Sequence, residues 1–193
     1  MLRSEPLGIP APDVTPDPAA ADRSLDREAL AATVLAYQRD IGAPDNAIAG
    51  AKALGMPGSS VVIAGQQPGL LGGPMLSIAK ALTAIASAER LAVTTKRPVV
   101  PVFWAATEDH DVDEVNRLDI LTAGDERRRL SLPISADGTM LSHVVPPAGS
   151  VRELMADLEA NLPGADRKDD LMAALEATRA PTLGDWFVRL LSR

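Results

Sequence analysis

The chain has no cysteine, few aromatic residues, no excess of basic charge and no long hydrophobic run. Without cysteine, the protein cannot form a disulfide, a zinc–thiolate site or a cysteine nucleophile. Aromatic residues make up only 3% of the 193 residues, so alanine, leucine and valine must fill the core. The formal net charge of -7 argues against a nucleic-acid binder, because such proteins normally carry a basic face.

The hydrophobic segments are too short for a membrane protein. None approaches the roughly 18 apolar residues of a spanning helix, and the N-terminus lacks the apolar core of a signal peptide. We therefore expect a soluble cytoplasmic protein without membrane or nucleic-acid partners. A hydrophobic fraction of 46% in 193 residues is enough for one large domain or for one and a half average ones.

The first half of the chain predicts an α/β fold. Residues 1–22 are rich in proline and alanine and predict a flexible leader. Ser24 is predicted to cap a helix that ends near Gly42, and a second helix is predicted over Asp45–Leu54. The buried strand Val61–Ala64 follows, with a continuous apolar run that suggests burial on both faces.

A strand–helix–strand unit is predicted next. The glycine-rich segment Gly65–Pro74, called the glycine loop below, leads into a helix that runs to about Leu91. The apolar residues of this helix recur with helical spacing. A second strand is predicted over Pro98–Trp104. This order is that of a right-handed βαβ unit with parallel strands. Ligands of open α/β sheets bind where such strands end.

The pattern changes after Asn116. Three short strands are predicted over 117–122, 127–133 and 140–145, as a small antiparallel meander. Helices are predicted over 150–161 and 167–178. A last helix is predicted after the cap Thr182, with an apolar face that includes Trp186 and Phe187.

Two features predict that the chain is incomplete as a folding unit. A two-stranded parallel sheet cannot cover both its faces, and sheets usually have about four to six strands. The final helix reaches Arg193 with its most apolar face newly presented. We expect a partner subunit or further sequence to complete the fold.

The glycine loop, with the sequence GQQPGLLGGP, is the first candidate site. Glycines after a strand let the backbone approach a ligand, and the helix that follows offers amide groups to an anion. The spacing matches neither the dinucleotide-binding nor the P-loop pattern, and Lys80 lies too far into the helix to be a P-loop lysine. A tight turn without ligand is the alternative, and the paired glutamines Gln66 and Gln67 favour binding.

The second candidate is the segment Glu108–Glu114, called the acidic loop below. His110 beside Asp111 is also found in His-Asp phosphohydrolases, but those need further histidines and only His143 remains. One alternative is a solvated loop that caps the next helix. The other is a cluster that holds a cation, an amine or a histidine of raised pKa. Nucleophile-elbow and zinc-protease motifs are absent from the sequence.

Three segments resemble a known family. The glycine loop with Lys80, the run PVVPVFWAATEDHDVDEVN and the stretch Thr182–Phe187 resemble BshC, the cysteine-adding enzyme family of bacillithiol biosynthesis. The first 55 residues match only loosely, and the resemblance covers the N-terminal third of such enzymes. It implies an incomplete Rossmann-like core, akin to nucleotidylyl transferases, with an inserted connective region and a dimerising coiled coil.

The resemblance also implies an activity and a site. The activity is the addition of cysteine to glucosaminyl-malate by amide formation, for which ATP and Mg²⁺ are candidate cofactors. The implied binding residues are Gly65, Gln66, Gln67, Gly69, Gly72, Gly73, Lys80 and Asn116, and the implied catalytic residues are Glu108, Asp109, His110 and Asp111. After the leader 1–22 predicted from composition, the implied domains are the N-terminal part of the core, 23–116, and the start of the insertion, 117–193.

Three hypotheses therefore stand. The chain is the N-terminal part of a cysteine ligase, which dimerises in its full length or associates with a C-terminal portion, and which is inactive alone. Alternatively, it is a nucleotide- or anion-binding module without catalysis. A third alternative is an inactive remnant.

Overall fold

The computed structural model describes residues 25–135, 137–164 and 166–193. The predicted leader 1–22 and the predicted cap Ser24 lie outside these residues. The described residues divide into two units: one holds 25–64 with Ala79–Trp104, and the other holds Gly65–Ile78 with the described residues of Ala105–Arg193. In the described residues, no helix combines the length and the apolar character needed to cross a membrane.

Two helices open the first unit. Helix α1 covers Arg27–Asp40, and its N-cap is Asp26, whose carboxylate accepts a 2.9 Å hydrogen bond from the amide of Ala29. Helix α2 covers Asp45–Ala53, close to the predicted bounds. Arg27 donates to the backbone and the hydroxyl of Ser59, which leads into the first strand.

The predicted βαβ unit is confirmed. Strand β1 covers Ser60–Gln66, helix α3 covers Met75–Thr95 and strand β2 covers Val99–Ala105. The two strands form a two-stranded sheet. The amide of Ser60 donates to Pro98 at the start of both strands, and the amide of Ala106 donates to Gln66 at their ends. The start of β1 thus pairs with the start of β2, and the end of β1 pairs with the end of β2, so the two strands are parallel.

The expectation that β1 is buried on both faces is wrong. Val61 and Ile63 are 44% and 62% exposed, because only one face of the strand is covered by the described residues. The stripe of large apolar side chains on α3 is not the buried face of this helix either. The buried face of α3 carries small side chains, among them Ser77, Ala84 and Ala88. The large apolar side chains of α3 are exposed: Met75, Leu76, Ile78, Leu82, Ile85 and Val93.

A hairpin follows in the second unit. Helix α4 covers Val112–Val115, and strands β3 and β4, Arg117–Leu121 and Arg127–Ser131, pair antiparallel. Asp119 on β3 binds Arg127 and Arg129 on β4 at 2.5 and 2.9 Å. The hydrogen bonds from Arg129 and Arg127 hold the pKa of Asp119 well below its usual range.

The third predicted strand, 140–145, is absent from the described residues, so the meander is a hairpin. The backbone of this segment bonds to other partners. The amides of Leu141 and Ser142 donate to the carbonyls of Asp109 and Thr107 at 2.8 and 3.0 Å. Because the amides of Leu141 and Ser142 already donate to Asp109 and Thr107, they are not available for pairing with β4.

The main hydrophobic core lies in the second unit. Helices α5, α6 and α7 cover Ala148–Asn161, Lys168–Ala177 and Leu183–Leu191. Trp186 and Phe187 on α7 are 3% and 2% exposed, and the indole N–H of Trp186 donates to the carbonyl of Leu175. The apolar face of the final helix is therefore packed in the core, contrary to the expectation that it is presented.

Candidate ligand-binding site

The glycine loop and the acidic loop lie side by side in the second unit. Each follows one of the two parallel strands, whose ends are joined by the bond from Ala106 to Gln66. The side-chain amide of Gln67 then donates a 2.6 Å hydrogen bond to Oδ2 of Asp109. The sequence places these residues at the same edge of the sheet, and the structure brings them into direct contact.

Asp109 organises the acidic loop around its other oxygen. Oδ1 accepts hydrogen bonds from the amides of His110 and Asp111, at 2.6 and 3.0 Å. The hydrogen bond from Gln67 is the main reason that the pKa of Asp109 lies below its ordinary value, and the amide of Asp111 acts in the same direction. Both carboxylate oxygens are thus engaged by the protein, and Asp109 stays ionised at neutral pH.

The glycine loop follows an unusual backbone path. Leu71, Gly72 and Gly73 have successive positive φ angles of 52°, 97° and 71°. Two of these positions suit glycine, which adopts this region without a steric penalty. A Cβ on Gly69 would stand 2.5 Å from Cα of Gly73, so that the two backbone segments approach each other more closely than any side chain permits.

A buried hydroxyl lies under the glycine loop at the start of α3. Ser77 is fully buried, and its Oγ would stand 3.4 Å from a Cβ on Gly73. Among the described residues, this hydroxyl has no hydrogen-bond partner. The Pro74 carbonyl accepts the Ser77 amide at 2.8 Å, which fixes the entry of the helix.

The comparisons with known proteins identify the family of these loops. The family described as "Bacillithiol biosynthesis BshC, N-terminal Rossmann-like domain" matches residues 17–193. The chain belongs to the BshC family. Both loops and the stretch Thr182–Phe187 lie inside the matched range, as the resemblance of these segments predicts.

Several curated relatives carry the name "Putative cysteine ligase BshC". The protein of Symbiobacterium thermophilum is 39% identical over 181 residues, which cover 86% of this chain and 32% of that protein. The protein of Halalkalibacterium halodurans is 35% identical over 178 residues, or 88% of this chain and 32% of that protein. The protein of Salinibacter ruber is 33% identical over 175 residues, which cover 90% of this chain and 32% of that protein. The chain thus spans about a third of the length of these relatives.

The other site residues that the BshC resemblance implies lie on several different elements. Gly65 and Gln66 end β1, while Glu108, His110 and Asp111 expose their side chains on the acidic loop. Lys80 lies in α3 and belongs to the other unit, so its role at this site stays a prediction. Asn116 follows α4, and its carbonyl accepts the amide of Leu132 at 2.8 Å.

The side chains of the acidic loop do not form a metal-binding cluster. In the part of the chain that the structure describes, no three His, Asp or Glu side chains are grouped so as to hold an ion. His143 lies outside this loop, and its Nδ1 is 3.1 Å from the Ser142 hydroxyl. It borders a separate open cavity of about 270 Å³, lined by Pro133, Ile134, Ser135, Thr139, His143, Val144, Val145 and Pro147.

The sequence reasoning missed the residues that support the acidic loop from behind. The amides of Leu183 and Gly184 donate to the carbonyls of Val144 and Leu141, and Leu141 in turn donates to Asp109. The resemblance of Thr182–Phe187 to BshC was the available signal, because it set this stretch apart from the other helices. What the sequence did not reveal is that this stretch is linked to the acidic loop through Leu141, whose amide donates to Asp109.

Proposed function

We propose that the chain supplies the N-terminal part of a cysteine ligase that adds cysteine to glucosaminyl-malate in bacillithiol biosynthesis. Family membership supports this activity, since the matched relatives are named as cysteine ligases. The observation that carries the proposal is the 2.6 Å hydrogen bond between Gln67 and Asp109. It joins the two loops that the resemblance assigns to one pocket.

The proposed reaction forms an amide between the malate carboxyl group and the cysteine amine. A free carboxylate does not acylate an amine at neutral pH, so the carboxylate must first be activated. ATP is the proposed co-substrate, giving an acyl phosphate with release of ADP or an acyl adenylate with release of pyrophosphate. The neutral cysteine amine then attacks the acyl carbon, the phosphate or AMP leaves, and the nitrogen loses a proton.

The two loops divide these tasks. The glycine loop offers backbone amides at the start of α3, which suit the negative charge of a phosphate or carboxylate. The resemblance alone supports the phosphate-binding role of Lys80, which lies in the other unit. The exposed carboxylate of Asp111 and the neighbouring Glu108 would attract the cysteine ammonium group, and His110 would accept the proton released on attack. Mg²⁺ fits this scheme as an ion that enters with ATP, because it is commonly held by one or two carboxylates and substrate phosphates.

Asp109 has a different role in this proposal. Its two oxygens accept hydrogen bonds from Gln67, His110 and Asp111. A carboxylate with this many protein donors is poorly suited to take a proton or to hold a cation. We therefore assign Asp109 as a positioning residue for His110 and Asp111, in place of the catalytic role that the resemblance implies.

The exposed apolar side chains of the first unit support a role as part of a larger enzyme. Val61 and Ile63 on β1, with Trp104 on β2, are between 44% and 62% exposed. Surfaces of this kind normally mark an interaction site. We propose that the polypeptide equivalent to the remaining two thirds of the ligase covers them, and we expect no turnover from the chain alone.

A chimera tests the proposal directly. This chain replaces the matching third of the Symbiobacterium thermophilum relative, to which it is 39% identical. The purified chimera is mixed with cysteine, glucosaminyl-malate, ATP and Mg²⁺, and bacillithiol is measured by mass spectrometry. We expect product from the chimera and none from either part alone. A folded chimera that makes no product, beside an active parent enzyme, would contradict the proposal.

A non-catalytic anion-binding module is the second candidate. The start of α3 directly after the glycine loop favours it, since the first amides of a helix suit an anion. Calorimetry of the chain with ATP, with pyrophosphate and with cysteine separates the two. The module would bind the phosphates while its chimera stays inactive, whereas the ligase requires an active chimera.

A further inference from the structure

The first turn of helix α7 lies against the neighbours of the acidic loop: Thr107, which precedes the loop, and Leu141, whose amide donates to the Asp109 carbonyl. Gly184 is buried there, and a Cβ on this residue would stand 3.1 Å from Cγ2 of Thr107. The same Cβ would stand 3.2 and 3.3 Å from backbone atoms of Ser142 and Leu141. These distances are shorter than ordinary van der Waals contact, so a side chain at position 184 would require its neighbours to shift by a few tenths of an ångström.

The same helix lies against the glycine loop at its last turn. Cδ2 of Leu190 would stand 3.3 Å from a Cβ on Gly72, whose φ of +97° already favours glycine. The neighbouring Leu70 is fully buried in the core, and the turn Leu70–Gly72 contacts α7. One helix of nine residues therefore contacts the glycine loop directly at Gly72 and is linked to the acidic loop through Thr107 and Leu141.

Helix α7 is itself fixed by the core between these two contacts. The hydroxyl of Thr182 accepts the amide of Asp185 and caps the helix start. Trp186 donates to the Leu175 carbonyl at 3.1 Å, and Phe187 is 2% exposed. A helix held by a cap, a hydrogen bond and two buried aromatic side chains cannot easily follow a loop that moves.

We propose that α7 sets the positions of both loops of the candidate site, with Gly184 holding the acidic loop and Leu190 holding the glycine loop. Gly184 and Leu190 are then positioning residues that act through Thr107 and Gly72. This geometry does not depend on the reaction, but its catalytic consequence rests on the proposed function.

The first test needs no ligand and uses the full chain. In Gly184→Ala, the added methyl group pushes the Leu141–Ser142 backbone away from the acidic loop. We expect the exchange of the Leu141 and Ser142 amides with solvent to become roughly tenfold faster, and the Asp109 carboxyl to titrate nearer its ordinary value. Gly149→Ala is the matched control, because a Cβ there meets nothing within 4 Å. Wild-type exchange in a folded Gly184→Ala protein would overturn the proposal.

Two further variants keep the test decisive. Thr107→Ser removes the methyl group nearest to the new side chain, so Thr107→Ser/Gly184→Ala should regain part of the lost protection. Leu190→Ala tests the other end, and should make exchange of the Gly73 amide, which donates to Leu70, roughly tenfold faster. If Gly184→Ala does not fold, Leu190→Ala decides alone, and wild-type exchange at Gly73 would overturn the proposal.

Activity of the chimera gives the second test. We expect Gly184→Ala to lower kcat at least about tenfold with a smaller change in KM, because the loops remain present but misplaced. Thr107→Ser/Gly184→Ala should recover part of kcat, and Gly149→Ala should match the parent chimera. An inactive parent chimera would contradict the proposed function alone, since the exchange experiment reports on α7 without it.

Discussion

The side-chain amide of Gln67 donates a 2.6 Å hydrogen bond to Asp109, 42 residues further along the chain. This bond connects the segments that follow two parallel strands, and it is the main cause of the lowered pKa of Asp109. The paired glutamines of the glycine loop thus have one clear structural task. Gln67 fixes a carboxylate that in turn fixes the amides of His110 and Asp111.

Replacing Gln67 should change the titration of Asp109. In Gln67→Ala the pKa of Asp109 rises toward its ordinary value, and in Gln67→Glu it rises above it, because two carboxylates then face each other. A lowered pKa in the folded state adds stability above the ordinary pKa, and this contribution is lost as the pH falls through the lowered value. The measurement is a carboxyl NMR titration, with Gln38→Ala as the control.

The stability of Gln67→Ala should follow the same pH dependence. We expect the free energy of unfolding to fall by about 1 kcal/mol or less at pH 7, since Asp109 is only half-buried and solvent weakens the bond. Urea unfolding at pH 7 and near pH 3 should show the difference from wild type shrinking at the lower pH. An equal difference at both values would show that Asp109 is not the partner that matters.

Gly69→Ala should damage the fold of the second unit. The added Cβ would stand 2.5 Å from Cα of Gly73, and a backbone atom cannot turn away as a flexible side chain can. We expect a loss of roughly 3 kcal/mol in the free energy of unfolding by urea. Gly149→Ala, with open space around its Cβ, should be neutral or slightly stabilising. Equal stability of the two variants would mean that the glycine loop opens easily.

Fluorescence quenching should distinguish the exposed Trp104 from the buried Trp186. Trp104 is 58% exposed on β2, whereas Trp186 is 3% exposed in the core. Trp186→Phe leaves only Trp104, whose fluorescence acrylamide should quench strongly. Trp104→Phe leaves only Trp186, whose fluorescence should be shielded. In the chimera, we expect Trp104 to become shielded as well, since the rest of the ligase covers it in our proposal.

The order of elements was predictable from the sequence because each depends on local pattern. The βαβ unit follows from β-branched runs around a 21-residue helix, and the hairpin follows from two short strands joined by a turn. The cap of α7 was also predictable, since Thr182 stands before an apolar helical face.

Burial was harder to predict because it depends on which partners surround an element. Val61 and Ile63 read as core residues, but no described segment covers them. The segment 140–145 has strand-forming residues, yet its backbone bonds to Thr107 and Asp109, far away in the sequence. The same limit hid the close packing around Gly184, since it arises from three-dimensional neighbours such as Thr107, which is distant in the sequence.

His110 should be required for turnover in the chimera. It lies exposed on the acidic loop, its amide is held by Asp109, and in the proposed reaction its ring accepts the proton of the cysteine amine. His110→Ala should lower kcat roughly 100-fold, the loss expected for a general base, with little change in the KM for ATP. His143→Ala is the matched control, because the second histidine borders a separate cavity and should leave kcat near that of the parent.

Comparing the kcat values of His110→Ala and His143→Ala decides the role of His110. If both variants keep the parent kcat, the proton leaves to water or to a phosphate oxygen and His110 is not the base. If both lose activity equally, the cause is structural, and their melting temperatures should fall together. A loss confined to His110→Ala, at an unchanged melting temperature, assigns proton transfer to the acidic loop.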